Sequence, residues 1–324
     1  MKELLLDVGG VGLLCCTSSP ALARTLAASY APFGAKARHH VHLRLVIKDG
    51  GGSGPWQEPA VRLHGTGASL SAPGLAAMLD CAAGTGTLHV GGMPAALAVE
   101  YALRVACAAL ATWHGALLVH AAAVLTPHPL TPSPLSRAQS DFGSSPQLPA
   151  LGRGGRGQGV GGEAAAGRGE RGQGERGEAT YLFWGPSGAG KTTVAGLSQQ
   201  AGIGVVLNDD LVLVRRVSGV WRAHGTPFTN PTQTGPGRPG QAPLQAVLHL
   251  SKGRDPAVLP LTPPDALARI AVGLPVVMAE PAWAARALAI AMRMVREVPQ
   301  VELAFRRDQP FWPAIERWAA ARGT

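Results

Sequence analysis

Charge is scarce in this chain, and so are lysine, cysteine and aromatic residues. Of 324 residues, 15% are Asp, Glu, Lys or Arg, and 5% are Phe, Trp or Tyr. Only 5 Lys accompany 24 Arg. No dense Lys/Arg run with interleaved aromatics occurs. The net charge of +9 therefore reads as dispersed surface arginine, and no nucleic-acid partner is expected. The cysteines, at 15, 16, 81 and 107, form neither a CxxC pair nor a Cys/His cluster with zinc spacing. Four are too few for a disulfide framework, so a reducing cytoplasm is the expected compartment.

What is plentiful is glycine (43) and apolar residues (46%). The apolar fraction excludes wholesale disorder, and the length fits one large or two modest domains. The start of the chain imitates a secretory leader, but Glu3 and Asp7 interrupt it. Alternation in Leu4-Leu5-Leu6-Asp7-Val8 predicts a first strand instead. Residues 105–124 lack formal charge over about the length of a membrane span. A buried helix over 95–113, broken by Gly115, and a buried strand over 116–125 account for them without a bilayer.

Residues 1–94 read as a small N-terminal α+β domain, with a strand over 41–47 and a short helix over 74–81. Composition then shifts. Residues 126–178 hold 13 of the 43 Gly and 6 of the 27 Pro, Pro/Leu/Ser-rich first and Gly/Arg/Gln-rich after. Such a segment cannot bury enough apolar area to offset its ordering entropy, which predicts a disordered insertion. Reverse complements of Pro and Leu codons give Gly, Arg and Gln codons, so the two halves read as a translated inverted repeat. Ordered patterning resumes with strands over 179–184, 205–207, 211–214, 220–222, 246–250 and 301–305. Helices are expected over 191–200, 264–272, 281–298 and 311–322. The fold class is α/β.

The motif that carries chemistry is Gly185-Pro186-Ser187-Gly188-Ala189-Gly190-Lys191-Thr192, a G-x-x-x-x-G-K-[ST] sequence between a strand and a helix. Glycines let a backbone wrap a phosphate chain, and the helix beginning at Lys191 adds its positive dipole end. Lys191 is placed for the β- and γ-phosphates and Thr192 for Mg²⁺, so ATP and Mg²⁺ are the expected cofactors. Asn208-Asp209-Asp210 follows the next strand, where a P-loop needs an acid. One carboxylate suits a metal and the other a substrate hydroxyl. Read alone, His120 in an apolar strand is a satisfied core residue.

Together these motifs resemble the HPr kinase/phosphorylase superfamily. The resemblance rests on His120 in its strand (117–124), the P-loop through Thr193, Asn208-Asp209-Asp210-Leu211, Gly225-Thr226-Pro227-Phe228, and Val298-Pro299 leading into 301–305. It covers about 95–320 with the insertion removed, and the core domain is taken as 95–324. It implies a P-loop kinase core with a mixed sheet flanked by helices, related to phosphoenolpyruvate carboxykinase, in which 120–124 and 181–184 pair antiparallel. It implies ATP/Mg²⁺-dependent phosphorylation of a serine on a protein or peptide, with no membrane partner. A homo-oligomer is compatible with it. Gly185, Ser187, Gly188, Ala189, Gly190, Lys191, Thr192 and Thr193 would hold the nucleotide. Asp209 would be the base, Asp210 with Thr192 would hold metal, and His120 would lie near the phosphates. The chain departs from the family in having Thr192-Thr193 where Ser-Glu is usual, and in lacking the loop that supports phosphorylase activity. A nucleotide-binding regulatory module and a small-molecule kinase are the alternatives. Arg215 and Arg238 are candidates for a phosphate clamp.

Overall fold

The computed structural model describes residues 1–35, 41–52, 54–127, 178–228, 237–274 and 276–322. The expected disordered insertion falls almost wholly outside the described residues. These residues form a mixed α/β fold with two mixed sheets and six α-helices.

The first sheet has seven strands: β1 (Lys2–Val8), β2 (Val11–Thr17), β3 (Val41–Asp49), β4 (Ala60–His64), β5 (Gly67–Ala72), β6 (Leu75–Asp80) and β7 (Thr85–Val90). Their spatial order is β1-β2-β3-β7-β6-β5-β4. The pairs β2–β3 and β3–β7 are parallel, and the other four are antiparallel. Side chains alternate across this sheet. Gly86, Leu88 and Val90 of β7 are buried, while Thr85, Thr87 and His89 are exposed. That is the pattern of a sheet with one face on the core and one in water. Helix α1 (Pro20–Ser29) precedes β3. The Ser19 hydroxyl accepts from the Leu22 amide and Pro20 opens the first turn.

The helix expected over 74–81 is instead strand β6. Its residues alternate strictly, with Leu75, Ala77 and Leu79 inward and Ala76 and Met78 outward. Ala, Met and Leu favour helix in isolation. Here β6 pairs along its whole length with β5 and β7, and that pairing overrides local preference.

Helix α2 (Ala95–Trp113) lies between the sheets, with twelve of its residues buried. Among the described residues it is the one helix long and apolar enough to cross a membrane, and most of it is buried within the fold. Its Ala-rich surface lets it approach β-strands on both sides.

The second sheet comprises β8 (Ala116–Thr126), β9 (Ala179–Trp184), β10 (Val205–Asn208), β11 (Leu211–Val217), β12 (Val220–His224), β13 (Gln241–Lys252), β14 (Ala257–Pro260) and β15 (Gln300–Phe305). Two of its strands are shared between pairings. β8 pairs with β11 over residues 116–120 and with β9 over 121–126. β13 pairs with β12 over 241–243, and then with β9 and β15. The ladders β8–β11–β12–β13–β9 thus close into a ring. The expected antiparallel pairing of β8 with β9 is present and runs to Thr126 opposite Ala179. Because β9 and β15 run parallel to β13, the sheet is mixed.

Helices α3 (Lys191–Gln200), α4 (Pro263–Val272), α5 (Pro281–Glu297) and α6 (Trp312–Arg322) complete the chain. The scarce aromatics are concentrated under α3. Phe183 lies 5.9 Å from Phe311 and 5.7 Å from Trp312, and Phe305 lies 5.7 Å from Phe311, all edge-on. Each such pair adds about 1 kcal/mol beyond simple burial. The Trp312 indole donates to Ser198 Oγ at 3.0 Å, which ties α6 to α3.

Candidate functional site

The site lies where β8 changes partners. At that point two backbone donors leave the ladder. The His120 amide donates to the Gly273 carbonyl and the Ala121 amide to the Asp210 carbonyl, both at 3.0 Å. His120 and the Asp209-Asp210 turn are thereby brought against one another. His120 Nε2 lies 2.8 Å from Asp210 Oδ1.

The loop 185–190 joins β9 to α3. Gly190 caps the helix with φ 108°, in the left-handed region that favours glycine. A Cβ there would also stand 2.7 Å from Phe305 Cζ. No side chain caps the helix and no acid occupies its first turn. The amides of that turn point out of the helix with their dipole, a cationic end suited to an anion. Lys191 is 6% exposed. Its ammonium donates to the Gly185 carbonyl at 2.8 Å and the Pro186 carbonyl at 3.0 Å. Burial pushes its pKa down, and nearby Asp210 opposes that shift.

The acidic turn is held by Asn208. Its side-chain oxygen accepts from the amides of Asp210 (2.8 Å) and Leu211 (3.0 Å). Its amide nitrogen donates to the carbonyls of Thr226 (3.1 Å) and Phe228 (2.9 Å). Thr226 Oγ1 donates in turn to the Leu211 carbonyl at 2.6 Å. The segment carrying Thr226 packs so closely that a Cβ on Gly225 would stand 1.8 Å from the Arg238 carbonyl oxygen. Asp209 and Asp210 are 3% and 7% exposed. Carboxylates so deeply placed need hydrogen bonds or neighbouring cations in place of water, as Asp210 has in His120.

These pieces line one cavity of about 240 Å³, formed by His120, Ser187, Gly188, Gly190, Lys191, Thr192, Thr193, Asp209, Asp210 and Arg307. Every site residue expected from sequence is there except Gly185 and Ala189. Those two lie outside the lining and shape the loop, where a Cβ on Gly185 would stand 2.7 Å from the Ala189 methyl. The two arginines proposed as clamps are elsewhere. Arg215 donates to the Gly9 carbonyl at 2.8 Å, five residues beyond Asp210 along β11. The Arg238 side chain is exposed and does not line the cavity. The arginine that does line it is Arg307, just after β15. The sequence shows it only as one of two adjacent arginines, with nothing to separate it from Arg306. The role of Asn208 was equally hidden, although its place before the acidic pair was visible.

Chemically, the cavity sets a cationic helix end and an ammonium beside two carboxylates. The Thr192 hydroxyl and the Asp carboxylates are hard oxygen donors of the kind Mg²⁺ takes. Among the described residues no three His, Cys, Asp or Glu side chains form a metal-binding group. A divalent ion here would therefore need further oxygens from a bound anion, which is how Mg²⁺ commonly sits with phosphates. A scan against protein-family models finds no match for the chain, and a search of curated proteins finds none either.

Proposed function

We propose that the protein is an HPr-kinase-like enzyme that uses ATP and Mg²⁺ to phosphorylate a serine on a protein or peptide. In this reading residues 95–324, without the insertion, are a P-loop kinase core, and 1–94 are a small accessory domain. The observation that carries the proposal is the convergence on one cavity of the phosphate-loop motif, the Asp209-Asp210 pair and His120, from three separate stretches of chain.

The residues fit the cofactors. Amides of the uncapped first turn of α3 hold phosphate oxygens, and Lys191 exchanges its carbonyl partners for the β- and γ-phosphates. Thr192 and Asp210 hold Mg²⁺, which when bound neutralises charge on the phosphates. Asp209 accepts the proton of the serine hydroxyl. His120, at 2.8 Å from Asp210, orients that carboxylate. A second reading, a nucleotide-binding module without transfer, is favoured by the lack of any acid in the first turn of α3.

The test is Mg·ATP binding and phosphate transfer by the full chain. Lys191→Ala should weaken Mg·ATP by about 100-fold or more. Asp209→Asn should keep binding and remove transfer. Wild-type binding with no phosphate in any polypeptide would leave the second reading. A labelled metabolite instead of a polypeptide would point to a small-molecule kinase.

A further inference from the structure

We propose that Arg307 is the second cationic contact to the transferring phosphoryl group, opposite in origin and complementary to Lys191. This rests on the function proposed above and names a catalytic residue for it.

β9 and β15 lie on either side of β13 and both run parallel to it. Their C-terminal ends therefore open on the same edge of the sheet, where ligands of open α/β sheets gather. The loop 185–190 leaves β9 at that edge, and the turn 306–308 leaves β15 there. The two are locked together, because the Phe305 ring fills the space beneath Gly190. Phe305 is itself buried against Phe311. Arg307 is thus two residues from a fixed point.

The adjacent arginines then divide. Arg306 is engaged by Asp308 through two bonds, Nε to Oδ1 at 3.1 Å and Nη2 to Oδ2 at 2.9 Å. The Arg307 guanidinium has no ion-pair partner among the described residues and lines the cavity. Lys191 and Arg307 supply two positive charges to set against Asp209 and Asp210.

Transfer needs such a group. As the serine oxygen forms its bond to the γ-phosphorus, the bond from that phosphorus to the β,γ-bridging oxygen breaks. The serine proton passes to Asp209 and ADP leaves with the electron pair. Charge spreads over the three equatorial oxygens meanwhile. Lysine meets it as a point charge, whereas a guanidinium offers a planar fork matching two oxygens at once.

The experiment compares wild type, Arg307→Ala, Arg307→Lys and Arg306→Ala as full-length proteins. Each is titrated with Mg·ADP, Mg·ATP and Mg·ADP plus aluminium fluoride, the last mimicking the planar phosphoryl group. Arg307→Ala should bind Mg·ADP within about twofold of wild type, Mg·ATP about 10-fold more weakly, and the planar mimic about 100-fold more weakly. Arg307→Lys should recover part of the loss, and Arg306→Ala should resemble wild type. Arg307 is exposed, so its variants should keep the wild-type melting temperature. Equal binding of all three ligands by Arg307→Ala overturns the proposal, as does an equal loss for all three. If wild type binds none of them, the proposed function itself falls, and this role falls with it.

Discussion

The two sheets solve the same packing problem differently. The first leaves one face in water, so its strands alternate polar and apolar residues and its chain can be read two residues at a time. The second buries most of its strands on both faces. β8 reads Ala-Leu-Leu-Val-His-Ala-Ala-Ala-Val-Leu-Thr, and all six residues of β9 are buried. The candidate site belongs to the second. A polar group there is held in a dry frame with few ways to move, and the frame concentrates such groups where its strands end or change partners.

If that contrast is right, acid should act mainly through the second sheet. Burial pushes His224 of β12 down to about 4, helped by Arg215 and Arg222. Burial likewise pushes His249 of β13 down to about 4. Both stay neutral when folded, while the unfolded chain takes up protons near pH 6.5. Between those values the unfolded state binds more protons, so stability is full above about pH 6.5 and falls as pH drops towards 4. From about pH 8 to pH 5.0 the loss should reach about 4 kcal/mol for the pair. Urea midpoints across pH check this, and His249→Gln should remove about half of the slope.

Next in size is Asn208→Ala. It strips partners from the buried amides of Asp210 and Leu211 and should cost about 3 kcal/mol in chemical denaturation. Smaller is the effect of cutting out 128–177 and closing β8 to β9 with Asn-Gly. The ladder already reaches Thr126 and Ala179. On the sequence expectation of a disordered insertion, removing it should raise stability by about 2 kcal/mol and leave Mg·ATP binding unchanged. Smallest is Thr87→Ala on the watery face of the first sheet, which should stay within about 0.5 kcal/mol. A larger effect there would mean that this face is covered in the working protein, and the contrast would weaken.

Legibility followed the same division. Helices α2 and α3 begin and end where Pro94, Gly115 and Gly190 announce them. β8 and β9 were plain as apolar runs beside a phosphate-loop motif. The first sheet misled at 74–81, because Ala-Ala-Met-Leu satisfies a helix locally and only the partners β5 and β7 decide otherwise. Strand β2 was hidden inside a segment that imitates a leader. In the site, residues announced by a motif were found, whereas those working by shape were not. Asn208 matters for its bonds to Thr226 and Phe228, some twenty residues on. Arg307 matters because β9 and β15 share a direction, which no local window records.

The strands shared between ladders also govern how the molecule can breathe. β8 and β13 donate and accept in both halves of the ring, so neither half can part without breaking bonds that belong to the other. The ring should therefore open as one foldon, its amides exchanging together and last. The first sheet, which ends in edge strands β1 and β4, can fray strand by strand. A ligand at the candidate site would therefore meet a preformed cavity rather than one made by the ring parting.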